Sequence, residues 1–150
     1  MKERIATITL NRPERFNAIS ETMPQDIATA FGHANNDDSV HVVVLTGAGR
    51  GFCGGYDIKA WAEEPGTNPV MQDMPWDPMI DYNFMSRCTQ SFMSIWRCHK
   101  PVIARVHGDA VAGGSDIALS VKLAKNMYSQ YFCNRLIFGF LSKKPKLCYL

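Results

Sequence analysis

Apolar and β-branched positions fall into short runs separated by polar or glycine-rich stretches, and each run predicts an element. Residues 4–10 (Arg-Ile-Ala-Thr-Ile-Thr-Leu) alternate in part and stop at Asn11-Arg12-Pro13, whose proline ring cannot join a ladder, so they predict a strand. Ser20 offers an N-cap and Glu21 a first-turn carboxylate, while Met23, Ile27, Ala30, Phe31 and Ala34 recur at helical spacing. A core-facing helix over about 20–35 follows. Val40 to Leu45 is almost continuously apolar, the pattern of a strand covered on both faces and parallel to its neighbours.

A glycine-dense loop from Thr46 to Gly55 and a short helical stretch from Asp57 to Glu64 come next. Residues 65–78, rich in Pro, Met and Asp without periodicity, predict a long surface loop. Asp77-Pro78 is an N-cap and first-position pair for a helix over about 78–98. Met85, Cys88, Phe92, Ile95 and Trp96 share one side of it, and Lys100-Pro101 closes it. Val102 to Val106 predicts a third strand, feeding the turn His107 to Asp116. Ile117, Ala118, Leu119, Val121 and Leu123 then predict another helix. From Asn126 to Leu150 Tyr, Phe, Cys and Lys mix without a period, and no element is predicted.

Composition narrows the class. With 150 residues, 46% hydrophobic and 20% charged, the chain is long enough for one globular core and unlike a disordered, collagenous or disulfide-dense sequence. Five cysteines, odd in number and without C-x-x-C or zinc-type spacing to the four histidines, predict reduced thiols in an intracellular protein and no metal site. The N-terminus runs straight into a strand pattern, so no targeting segment is expected. The expected location is cytoplasmic, or mitochondrial if a transit peptide lies upstream. No apolar run approaches the roughly 20 residues of a membrane-spanning helix.

Charge adds one asymmetry: all 14 carboxylates lie at or before Asp116, giving residues 1–124 a net charge of −3 and the last 26 residues +5. A basic tail can attract nucleic acid or acidic lipid, but this one lacks amphipathic order and aromatic–basic interleaving, so no specific nucleic-acid partner is expected.

Two strands end in glycine-rich turns that open helices, presenting unpaired backbone N–H groups at positively polarised helix starts. Two such loops facing one another could grip a single carbonyl oxygen, which is the requirement for an oxyanion hole. Gly49-Arg50-Gly51-Phe52-Cys53-Gly54 also satisfies a dinucleotide fingerprint with Asp73 downstream, but it is not on the first strand and lacks the expected helix. His107 reads as a hydrogen-bonded structural histidine and Cys53 as a packed thiol.

The chain resembles the crotonase, or enoyl-CoA hydratase/isomerase, superfamily. The matching stretches are Ile8-Thr9-Leu10-Asn11-Arg12-Pro13 with Asn17-Ala18, Val44-Leu45-Thr46-Gly47, Gly51 to Lys59, and Lys100-Pro101-Val102-Ile103-Ala104 through Val106-His107-Gly108 to Leu119. Several separated motifs in register, over about residues 4–124, are more specific than any one glycine loop. The resemblance implies an α/β fold, a crotonase-type spiral core of repeated ββα turns, incomplete at the C-terminus. Residues 1–124 would be the acyl-CoA-binding core and 125–150 a divergent basic tail. It implies no permanently bound cofactor, coenzyme A arriving as part of an acyl-CoA substrate, and assembly into homo-trimers or hexamers.

Carried over by motif position, the oxyanion donors would be the N–H groups of Tyr56 and Gly113. The adenine and pantetheine part of CoA would lie along the backbone of Tyr56, Asp57, Ile58 and Lys59. Arg15 and Lys59 are candidate phosphate partners, each alternatively an ordinary solvated charge. Asp116 aligns with the first of two glutamates that hydratases of this family use to share protons with water. It is shorter by one methylene, with reach reduced by roughly 1.5 Å, and its alternative role is a first-turn acid stabilising a helix dipole. No acid beyond Asp116 can supply the second glutamate, expected about twenty residues later. Two expectations therefore stand: an enzyme that stabilises a thioester enolate, or a catalytically silent fragment or acyl-CoA-binding subunit. The loss of pattern after Ala124 adds the expectation of a truncated product whose last 26 residues come from an unrelated frame or intron.

Overall fold

The computed structural model of the chain describes residues 4–63, 68, 70–121 and 123–126. Its frame is a four-stranded, all-parallel sheet in sequence order: β1 (Ile5–Leu10), β2 (Val42–Gly47), β3 (Val102–Val106) and β4 (Leu123–Asn126). Parallel neighbours require crossovers. Three helices occupy them in turn: α1 (Met23–Asn36), α2 (Pro78–Arg97) and α3 (Gly113–Leu119).

Each of the first three strands is followed by a second, much shorter extended segment before its helix. These segments meet one another through single parallel bridges, Ile19 with Tyr56 and Cys53 with Ala110. The expected ββα repeat is therefore present, its second strand reduced to one bridge wide. The core lies between the sheet and the helices. Val43, Leu45, Val102, Ala104 and Val106 from the strands are sealed beneath Ile27, Phe31, Phe92 and Ile95 from α1 and α2, and burying each large apolar side chain contributes about 1.5–3 kcal/mol. The Lys100 ammonium tethers the end of α1 by donating to the Ala34 and Asp37 carbonyls.

The predicted elements are displaced in instructive ways. Helix α1 starts at Met23, three residues after Ser20, which keeps Pro24 in the first turn, where its missing N–H removes no intrahelical bond. Ser20 Oγ accepts from the Met23 N–H at 3.3 Å, and the first-turn acid is Asp26 where Glu21 was expected. β2 continues through Thr46 and Gly47, which pair with Thr9 and Leu10. The stretch predicted helical over 57–64 contains a single π-helical turn, Lys59–Glu63. Helix α2 is capped by Asp77 as expected, its side chain accepting from the Met79 N–H at 2.8 Å. Its buried side runs through Phe84, Cys88, Phe92 and Ile95; Met85 and Trp96 are 46% and 50% exposed, having drifted off that stripe.

α3 begins at Gly113, four residues before the apolar run that predicted it, and Leu123 lies in β4 rather than in a helix. β4 straddles the boundary expected at Ala124 and pairs Lys125 and Asn126 with Arg105 and Val106. The rest of the basic tail, from 127 on, lies outside the described residues, as does part of the predicted surface loop (64–67 and 69). Among the described residues no helix is long and apolar enough to cross a membrane.

Candidate active site

The loops after β2 and β3 are laced together at the open end of the sheet. The Phe52 and Cys53 N–H groups donate to the Asp109 carbonyl at 3.0 and 3.1 Å, and the Val111 N–H donates to the Cys53 carbonyl at 3.0 Å. The single parallel pairing of Cys53 with Ala110 ties the two loops together. Glycine packing agrees: a Cβ on Gly55 would lie 3.0 Å from the Val111 carbonyl, and one on Gly113 would lie 2.9 Å from Cε2 of the Tyr56 ring.

Neighbouring N–H groups in both loops are used. Asp57 N–H donates to the Ile19 carbonyl at 3.1 Å, and Gly114 N–H to the Val111 carbonyl at 2.8 Å. The Tyr56 and Gly113 N–H groups have no acceptor among the described residues. Gly113 is the first residue of α3, where N–H groups are unpaired by the geometry of a helix start. Ala112 makes the turn into α3 with φ 46° and ψ −122°, a backbone conformation that L-residues other than glycine rarely adopt. Such residues persist where the surroundings over-determine them.

The first loop is held from below by a buried side chain. Asn17 Oδ1 accepts from the Arg12 N–H at 2.8 Å, and its amide donates to the carbonyls of Ala48, Gly51 and Phe52 at 2.8, 2.9 and 3.2 Å. Asn17 has φ 54°, which asparagine tolerates better than most residues. Cys53 Sγ donates to the Asn17 carbonyl at 3.1 Å, and burial pushes this thiol's pKa up, making it a packed thiol as expected. His107 Nε2 lies 3.0 Å from the Gly49 carbonyl, a structural bridge between the two loops. No helix follows Gly49–Gly54 directly, contrary to a dinucleotide fingerprint.

Asp57 is 5% exposed and paired with Arg12 at 2.9 Å. Burial raises its pKa, but the Arg12 guanidinium, the Ala60 N–H and the Arg15 charge together outweigh burial and hold it below the ordinary carboxylate value. Arg15, Ile58 and Lys59 are exposed around it, with Ile58 70% exposed. Of the residues expected along CoA, Arg15, Ile58 and Lys59 are exposed, Tyr56 is half-buried, and the Asp57 carboxylate is turned inward to Arg12.

Two clefts meet at Tyr56. One, of about 350 Å³, is lined by Tyr56, Asp116, Phe92, Met93, Trp96 and Leu119 among others, so Asp116 and the Tyr56 side chain face the same space. The other, about 510 Å³, runs from Tyr56 past Trp61 and Phe84 to Trp76 and Asp81. The Tyr56 hydroxyl lies beside the Cys88 thiol. Burial first, then the Cys88 and Asp116 charges, push its pKa up to about 12, so it is a neutral phenol at any physiological pH. Among the described residues no three His, Cys, Asp or Glu side chains converge where they could hold a metal ion. Sequence reasoning did not find the Asn17 clamp or the Arg12–Asp57 pair. Their only signal was the placement of Asn17 and Arg12 inside a recognised motif.

Residues 1–140 match the family model described as enoyl-CoA hydratase/isomerase. A probable enoyl-CoA hydratase of Mycobacterium bovis is 37% identical over 131 residues, covering 87% of this chain and 44% of that protein. The 1,2-epoxyphenylacetyl-CoA isomerase of Escherichia coli is 34% identical, covering 79% and 42%. The crystal structure of an enoyl-CoA hydratase from Mycobacterium smegmatis superposes with a TM-score of 0.73 at 39% identity, covering 84% of this chain and 44% of that one. The chain spans less than half the length of the relatives it matches.

Proposed function

Because the chain belongs to the enoyl-CoA hydratase/isomerase family, we propose that its two laced loops bind the carbonyl oxygen of an acyl-CoA thioester and stabilise the enolate formed from it. The observation that carries this reading is the pair of N–H groups, those of Tyr56 and Gly113, that have no acceptor among the described residues and lie on adjacent loops that pack against one another. Two donors fixed where negative charge develops stabilise it without reorganisation, and the start of α3 adds its partial positive charge at Gly113.

Asp116 supplies the proton chemistry in this proposal. When water adds to a conjugated enoyl thioester, oxygen bonds to the β-carbon and a proton reaches the α-carbon of the enolate. A carboxylate facing the cleft can accept the proton that water loses and return it. Isomerisation uses the same group to remove a proton at one carbon and deliver it at another. Coenzyme A enters as part of the substrate, with its backbone along Tyr56, Asp57, Ile58 and Lys59 and its phosphates near Arg15 and Lys59. The residues that build this binding core lie within 4–126. The buried, reduced Cys53, Cys88 and Cys98 support an intracellular setting.

One observation favours a second reading. Asp116 is the only carboxylate among the described residues lining its cleft, and no acid follows it in the sequence. A silent acyl-CoA-binding chain would show the same half-site. Incubating the purified chain with crotonyl-CoA separates the two: loss of the conjugated thioester absorbance supports catalysis, and binding without turnover supports the silent module. A chain that neither binds nor turns over the thioester would sink both.

A further inference from the structure

The 510 Å³ cleft differs in chemistry from the space around Asp116. Its floor is a ladder of rings set edge to face: Tyr56 against Trp61 with centroids 5.5 Å apart at 73°, and Trp61 against Phe84 at 5.0 Å and 61°. Among the described residues its far end holds one carboxylate, that of Asp81. The Asp81 carboxylate accepts from Trp76 Nε1 at 2.9 Å and, more weakly, from Gln72 Nε2 at 3.4 Å.

Position along α2 gives the distance. Asp81, Phe84 and Cys88 follow one another down one side of the helix, and Cys88 lies beside the Tyr56 hydroxyl. Seven residues at 1.5 Å rise put Asp81 about 10 Å beyond the end of the ladder that carries the proposed oxyanion donor.

From this arrangement we infer that the cleft takes an aryl acyl group, a flat ring on a short acyl chain, with a hydroxyl on the ring edge that donates to Asp81. The inference rests on the acyl-CoA reading and names the substrate class of that site. Three observations carry it. The ladder leaves ring faces and edges on which another ring can stack or meet edge-on, an arrangement favoured beyond area burial. The volume is about three times the roughly 150 Å³ that encloses one benzene, room for a ring with its chain. A carboxylate has about four acceptor sites, of which Trp76 and Gln72 use two. An unsubstituted aliphatic tail would cover the remaining acceptor sites without supplying a donor, whereas a phenolic hydroxyl would pair with one.

Calorimetric titration of the chain with saturated thioesters tests this without turnover. The ligands are hexanoyl-CoA, phenylpropanoyl-CoA and para-hydroxyphenylpropanoyl-CoA, with CoA alone as the reference. Phenylpropanoyl-CoA is expected to bind about tenfold tighter than hexanoyl-CoA, and the hydroxylated ligand about a further five- to tenfold tighter. In Asp81→Asn the second step shrinks to about twofold or less. Hexanoyl-CoA binding as tightly as the aryl ligands overturns the inference and leaves the thioester reading standing. A hydroxyl step absent in the wild type, or undiminished in Asp81→Asn, removes Asp81 from it. No thioester binding more tightly than CoA alone overturns this inference and the thioester reading together. Should Asp81→Asn fail to fold by circular dichroism, the wild-type ligand series still decides.

Discussion

The two loops that meet at the candidate site present equivalent N–H groups by opposite means. The Tyr56 loop is held by side chains from elsewhere in the chain: the Asn17 amide binds its carbonyls from below, and Arg12 pins Asp57 at its end. The Gly113 loop is held by its own turn and side chain and by close approach to the first loop. Ala112 turns with positive φ, Gly114 presses on Cys53, and Ser115 Oγ donates to the Ala110 carbonyl at 3.0 Å. One donor therefore depends on buried polar partners and the other on close approach. Substitutions should damage them by different routes.

The largest effect is expected at Asn17. Alanine there leaves the Ala48, Gly51 and Phe52 carbonyls without their side-chain donor and puts a less tolerant residue at φ 54°. Each buried group left unsatisfied costs about 1–3 kcal/mol, so Asn17→Ala should lose about 4 kcal/mol, measured by urea unfolding. Gly114→Ala comes next. Its Cβ would lie 2.5 Å from the Cys53 carbonyl oxygen and 2.8 Å from Cys53 Cβ, so the two loops must separate. Overpacking of this kind costs about 3 kcal/mol. If Gly114→Ala proved the costlier of the two, close approach rather than polar clamping would be the main restraint on the site.

The difference between the loops also explains what was legible in the sequence. β2 and β3 were visible as short β-branched runs, although they are not covered on both faces as expected: Val43 and Leu45, and Val102, Ala104 and Val106, are buried while the residues between them are half-buried or exposed. α2 was visible because Asp77-Pro78 and the Cys88–Phe92–Ile95 spacing are local signals. The two glycine loops and their helix starts were likewise local. The facing of Tyr56 and Gly113 was not, since it depends on a single bridge between residues 57 positions apart in the chain, Cys53 and Ala110. Neither was the Asn17 clamp, whose partners lie 31–35 residues away. Leu123 was misplaced because a short apolar run fits either period, and only pairing with Ile103 decides for a strand.

A smaller and pH-dependent effect is expected at Arg12. Its pair with Asp57 has one nearly buried and one partly exposed partner, so Arg12→Met should cost about 1–2 kcal/mol at neutral pH, between exposed and buried pairs. Asp57 has a folded pKa below its ordinary value, so its contribution is present above 3.8 and is lost as pH falls through the lower folded value. The gap between wild type and Arg12→Met should therefore close on acidification below 3.8. A gap that stayed constant from neutral to acid pH would show that Arg12 acts only through its donation to the Ala18 carbonyl.

The smallest effect, of opposite sign, is expected at Ala112. An L-residue at φ 46° and ψ −122° stores about 1–3 kcal/mol that glycine would not. Against that, glycine costs about 0.4–1 kcal/mol more chain entropy on folding. The strain term is the larger, so Ala112→Gly should gain about 1 kcal/mol and raise the unfolding midpoint by about 3 °C in a chain of this size. The comparison between the loops depends on this sign. Were Ala112→Gly to lower the midpoint, the turn into α3 would not be strained. The Gly113 N–H would then be aimed by the packing of Gly114 and Ser115, and the second loop would be held by contacts, as the first is.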